Sequence, residues 1–180
     1  MPPNSSLYRF RVSVSDVDRG YYGDLDFRVA MHPSESFPYL LTRVIGYTLS
    51  YEDGLTFSGG GLSDPDEPSL SMADPRGGYS LWIEVGNPSA RRVHKAAKAS
   101  KRVRVFTYKN PEALLRELEG EDVHKAEAIE IYSLESDFLK ALEATLERDN
   151  AWTLIRNEGS LIINVGDEPI AGELARHSVR

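Results

Sequence analysis

Cysteine is absent from this 180-residue chain. That excludes disulfides, thiolate nucleophiles and cysteine-ligated zinc together. His94, His124 and His177 stand at no metal-ligand spacing either. No apolar run approaches the roughly 20 residues that span a bilayer. The opening "MPPNSSLYRF" has neither a basic n-region nor an apolar h-region, so the expectation is no signal peptide and a cytoplasmic protein without membrane contact. "SGGGLS" is not followed by Gly-Lys-Ser/Thr, so it is not a phosphate-cradling P-loop. A Gly-x-Ser-x-Gly nucleophile elbow is also missing.

What is present reads as a globular protein. The length suits one domain with a real hydrophobic core. Apolar residues make up 41% and charged residues 27%, both ordinary for such a chain. The net charge of -7 argues against broad attraction to nucleic acid. Its distribution is uneven, however. Arg91 to Lys109 holds eight Lys or Arg and no acid, whereas Glu112 to Asp149 holds twelve acids and four bases. The basic segment is either a phosphate-facing patch or a solvated helix face.

Periodicity places the elements. "LYRFRVSVSDV" and "LDFRVAMH" alternate apolar and polar residues across a turn-rich link, which predicts an N-terminal hairpin. From Phe37 to Tyr51 the period becomes helical, with His32 or Ser34 as cap and Gly54 as stop. Arg43 lies within that apolar pattern and needs a partner, Glu35 or Glu52. "LTFS", "SLSM" and "YSLWIEV" read as three strands, with the loop "GGGLSDPDEP" between the first two. A helix over 89–100 and the strand "RVRVFTY" follow, and the helical crossover makes those last two strands parallel. Asn110 caps a short helix, "AEAIEIYS" is a strand, "ESDFLKALEATL" a helix, and "AWTLIRN-EG-SLIINVG" a C-terminal hairpin. Beyond Gly166 the pattern fades. The expectation is one α+β domain over 1–166, a mixed β-sheet with flanking helices, and a loosely ordered tail over 167–180.

Candidate chemistry gathers around Glu84. It shares a strand face with Ser80, Trp82 and Gly86, and it ends a strand just before a crossover helix, where ligands commonly bind. It could equally be a solvated strand-end acid. "DPDEP" places Asp64, Asp66 and Glu67 upstream. Clustered carboxylates repel unless a cation lies between them, and oxygen-only ligation suits Mg²⁺. The alternative is an ordinary solvated turn. Arg91, Lys95, Lys98 and Arg102, spaced four, three and four, form a basic stripe opposite Val93, Ala96, Ala97 and Ser100. First-turn bases oppose the helix dipole, which calls for a phosphate or carboxylate nearby.

The motifs "HPSE", "DEP", "LWIEVG-P", "RR" and the following Lys, in this order, resemble the YaeQ family of bacterial proteins, from the opening hairpin to about Gly166. That resemblance implies a restriction-endonuclease-like, PD-(D/E)XK core: a helix, a three-stranded meander, a helix and a further strand. It implies an acid at Glu35 in the first helix. It also implies metal ligands at Glu67, with Asp66, and at Glu84. The nuclease lysine position is Gly86, so the base is expected from the next helix, at Lys95 with Lys98 behind it. Ser69 stands where the family often has an acid after Pro68.

An active site of this kind would hydrolyse phosphodiesters with Mg²⁺ or Mn²⁺. Glu67, Glu84 and Lys95 would be catalytic, and Glu35, Arg91, Arg92 and Lys98 would contact substrate, DNA or RNA. Fold similarity alone does not establish an activity. Two other readings stand beside this one: a non-catalytic nucleic-acid-binding or regulatory protein on a degenerate nuclease fold, and an interaction module that docks an acidic protein.

Overall fold

The computed structural model describes residues 5–59 and 66–180. Asp64 and most of the loop "GGGLSDPDEP" therefore lie outside the described residues. Among the described residues, ten strands and four α-helices follow one another in a mixed α+β order. The opening hairpin is β1 (Ser6–Asp16) and β2 (Tyr21–Met31), paired antiparallel. Helix α1 (Phe37–Ser50) leads into β3 (Thr56–Phe57), β4 (Leu70–Ala73) and β5 (Tyr79–Val85). Then come α2 (Ala90–Ala99), β6 (Ser100–Thr107), α3 (Pro111–Glu119), β7 (Glu130–Leu134) and α4 (Ser136–Glu143). The chain closes with β8 (Asp149–Asn157), β9 (Ser160–Val165) and β10 (Glu168–His177).

One sheet contains these ten strands, in the order β2-β1-β8-β9-β10-β7-β6-β5-β4-β3. β5 and β6 are parallel, as the helical crossover between them predicts. The β8–β9 turn is Glu158-Gly159, both at positive φ, which suits the primed turns that match strand twist.

The sheet curls around α1 until its two edges nearly meet. Phe27 on β2 and Phe57 on β3 lie 5.7 Å apart between ring centroids. Tyr47 of α1 packs on both, at 4.5 and 4.7 Å. Helix α1 is thus enclosed, with Leu40, Leu41, Val44 and Ile45 fully buried. Gly46 lets it approach β6, because a Cβ there would meet the Phe106 ring at 3.2 Å. A second core lies outside the sheet, where α2 and α3 cover Trp82, Val103, Val105 and Ile131.

Two expectations need correction. The tail is ordered: β10 pairs with β9 through Glu168–Glu173 and with β7 through Leu174–His177. Its apolar residues, Ile170 and Leu174, are too sparse to announce a strand, yet both are buried. Helix α1 is capped by neither His32 nor Ser34, whose side chains bond to each other at 2.7 Å. Ser36 caps it, accepting from the Tyr39 N–H at 3.2 Å, with Pro38 inside the first turn, where a missing N–H costs nothing. Among the described residues, no helix is long and apolar enough to cross a membrane.

Candidate functional site

Alternation along β5 sends Leu81, Ile83 and Val85 toward α1 and Trp82 toward α2, on the same strand face as Glu84. Glu84 is 4% exposed, so its charge must be met within the protein. Both oxygens are engaged. The Trp82 indole donates to Oε1 at 2.6 Å, and Arg92 Nε donates to Oε2 at 2.8 Å. Arg92 Nη2 also donates to the backbone carbonyl of Glu67. One guanidinium therefore ties the end of β5 to the segment entering β4.

Helix α2 delivers Arg92 through its first turn. Ser89 caps the helix, accepting from the Arg92 N–H at 3.2 Å. Glu117 of α3 accepts from the Ala90 N–H at 2.7 Å. The anion called for at this helix start is therefore a carboxylate of the protein's own. Gly86 sits at φ +99°, and a Cβ there would meet only Tyr108, at 3.8 Å. Its glycine suits the positive-φ turn out of β5.

The other predicted residues disperse. Lys95 does not reach Glu84; its Nζ donates to Asp66 at 2.9 Å, with both side chains exposed. That bond holds the Asp66 carboxyl below the usual range, with the nearby Lys95 charge as the next cause. Glu67 accepts from the Ser58 hydroxyl at 2.6 Å. Arg91 and Lys98 lie on α2, both exposed. Arg102 belongs to β6 rather than to the helix, and pairs with Glu52 at 3.0 Å.

Glu35 precedes α1 instead of lying in it. Its side chain is buried beside that of Arg43, at 2.6 Å. Arg43 also donates to the carbonyl of Ala30 and lies over the Tyr39 ring. Glu35 is therefore committed to a buried ion pair rather than presented to a substrate.

Two further residues join these acids. The Tyr39 hydroxyl lies 3.2 Å from the Ser69 hydroxyl, both residues being buried. Burial raises the Tyr39 pKa first; Glu35 and Glu84 raise it further, while Ser69 and Arg43 oppose them. Tyr39 thus lies within electrostatic reach of both acids, although in the sequence it reads only as part of the apolar helix pattern. Ser69 stands out in the sequence only as a missing carboxylate; here its hydroxyl is a buried hydrogen-bond partner.

These donors do not fit a divalent ion as they stand. Mg²⁺ needs carboxylate oxygens free to face it, and those of Glu84 are taken by Trp82 and Arg92. Among the described residues, no three His, Cys, Asp or Glu side chains come together to hold a metal.

Comparison with known proteins fixes the relationship. The family model "YaeQ protein" matches residues 1–173. A protein described as uncharacterized YaeQ from Escherichia coli (strain K12) is 33% identical over 108 residues, 60% of this chain and 59% of that relative. The crystal structure of the YaeQ protein from Xanthomonas axonopodis pv. citri superposes with a TM-score of 0.89 at 27% identity, covering 98% of this chain and 100% of that one. The YaeQ protein from Pseudomonas syringae gives 0.88 at 25% identity, covering 99% of each chain. With nearly its whole length matched, this chain belongs to the YaeQ family.

Proposed function

We propose that this chain binds nucleic-acid phosphates through its outer basic face, on a restriction-endonuclease-like core whose acidic centre is closed by its own arginine. The order α1, β3, β4, β5, α2, β6 supports such a core. The observation that carries the reading is the double engagement of Glu84 by Trp82 and Arg92. An acid held in this way is no open metal ligand, whereas bases beside it reach solvent. Arg91, Lys95 and Lys98 line the outside of α2. A groove of about 460 Å³ continues from it, lined by Lys98, Lys101, Arg102, Lys125 and Glu130. Lys101 pairs with Asp74 at 2.8 Å and Arg102 with Glu52 at 3.0 Å, so among the described residues Lys98 and Lys125 are the groove's bases without an ion pair. Such a surface suits backbone contacts, which position nucleic acid without reading its sequence.

Fluorescently labelled single- and double-stranded DNA and RNA test this. Affinity should fall linearly with salt on a log-log plot. Lys98→Ala with Lys125→Ala should flatten the slope by about one unit for each phosphate no longer neutralised. Binding without salt dependence, or none at all, would favour docking of an acidic protein instead.

A Mg²⁺-dependent hydrolase is the second reading. Its support is that one guanidinium spans Glu84 and the Glu67 backbone, which keeps the two predicted acids close in the fold. Metal-stimulated cleavage that disappears in Glu84→Ala would establish it.

A further inference from the structure

The opposite face of β6 opens on a second charged site, apart from the nuclease-like residues. Arg104 and Phe106 point inward from β6, toward α1, while Val103 and Val105 pack outside. Beyond the C-terminal end of α1 lies a cavity of about 240 Å³. Arg104, Arg156, Arg176 and Arg19 line it, with Asp18 and Glu130. Asp16 stands behind them, its side chain fully buried. In a protein with net charge -7, this recess gathers four guanidinium groups against three carboxylates.

Each acid here is already committed. Asp18 accepts from the N–H groups of Glu158 and Gly159 at 2.6 and 3.0 Å, and from Arg156 Nε at 3.1 Å. Asp16 takes the Arg19 N–H at 3.2 Å and Arg156 Nη1 at 3.5 Å. Glu130 receives Arg104 Nε at 2.9 Å and the Tyr132 hydroxyl at 3.0 Å.

The bases are committed unequally. Arg19 is occupied, donating to the carbonyls of Tyr51, just past α1, and of Thr48, within it, at 2.7 and 3.3 Å. Among the described residues, Arg104 uses only Nε, so both of its terminal nitrogens lack a protein acceptor. On the same terms Arg156 leaves Nη2 without one. Arg176 has no ion pair among the described residues; it lies over the Tyr132 ring, 5.9 Å from the centroid. Ser50 also lines the cavity, and among the described residues its buried hydroxyl has no hydrogen-bond partner.

A buried hydroxyl without a partner is uncommon and needs an explanation. Spare guanidinium donors around one recess match the planar, forked recognition of phosphate. The volume falls below the range of about 300–1,000 Å³ typical of sites for larger ligands, so the ligand is compact. We propose that this cavity binds a phosphoryl dianion, either inorganic phosphate or the phosphate of a small phosphomonoester. Arg104, Arg156 and Arg176 would grip its oxygens, and Ser50 would supply a fourth contact. This inference stands apart from the outer basic face.

Calorimetric titration of the full chain at low ionic strength, with inorganic phosphate in one arm and ribose 5-phosphate in the other, tests it. Saturable one-to-one binding is expected in at least one arm, and the tighter arm identifies the source of the phosphate. Arg176→Ala should weaken binding about tenfold or more, in line with removal of one charge-assisted hydrogen bond. Arg176→Lys should fall between the two, because it keeps charge without the fork. Ser50→Ala should weaken binding less, while leaving the melting temperature of the unliganded protein unchanged. Lys98→Ala, on the outer face, should bind phosphate as wild type does, whatever it does to nucleic-acid binding. No saturable binding in either arm, an Arg176→Ala protein that binds as tightly as wild type, or equal loss in Lys98→Ala would overturn the proposal.

Discussion

The two faces of β6 carry charge under different settlements. On the outer face, Glu84 has a donor for each oxygen, and the base that meets it, Arg92, also holds a neighbouring carbonyl. On the inner face every acid is engaged, but guanidinium donors are left over. Charged residues are therefore a poor guide to function until their partners are known. A saturated acid holds elements together, whereas surplus donors leave something for a ligand to satisfy.

The largest effect should come from the most deeply buried ion pair. Glu35→Ala leaves Arg43 buried without its carboxylate, a change that costs about 3–5 kcal/mol when a buried partner is removed. Urea unfolding measures it, and a loss below about 1 kcal/mol would show that water or another acceptor replaces Glu35. Arg92→Ala should come next. It strands the Oε2 of a buried Glu84 and cuts the tie to Glu67, for a loss of roughly 1.5–3 kcal/mol. The same variant sharpens the comparison between faces. If Mg²⁺ then binds with heat that wild type lacks, Arg92 is what keeps Glu84 closed to metal.

The smallest effect belongs to Asp18, at the rim of the inner cavity. The Gly159 and Glu158 N–H groups and Arg156 hold its carboxyl below the usual range, the Gly159 bond foremost, with burial opposing them. A carboxyl depressed in the folded state adds stability that is complete above its unfolded pKa and is lost as pH falls through the folded value. Asp18→Asn should therefore destabilise at neutral pH by under about 1 kcal/mol. The gap from wild type should close as the solution is acidified, which thermal melts at several pH values would read.

Much of the fold was legible in the chain, for local reasons. β5, α2 and β6 fall where alternation, a helix over 89–100 and renewed alternation put them, within a residue or two at the ends. Tertiary contacts decided the rest. In β10, Gly172 interrupts the apolar pattern, yet a Cβ there would lie 2.5 Å from the Phe138 ring. The residue that obscures the strand is thus the one that α4 requires. At the candidate site, Glu84 stands out in the sequence, but the base that meets it does not. Arg92 and Lys95 differ by less than one helical turn, and which of them reaches Glu84 depends on how α2 is set against β5. The arginine cavity draws on residues from Asp18 to Arg176. No spacing along the chain could have announced it.

The pairing of β1 with β8 carries a cost during synthesis. Arg9 lies opposite Asp149, so the inner edge of the first hairpin has no neighbour until most of the chain has been translated. An unpaired edge invites pairing with other nascent chains, and contacts so distant in sequence form slowly. A ribosome that stalls before β8 would release an adhesive intermediate, which makes the stretch of message encoding β8 the part that protects the first hairpin from aggregation.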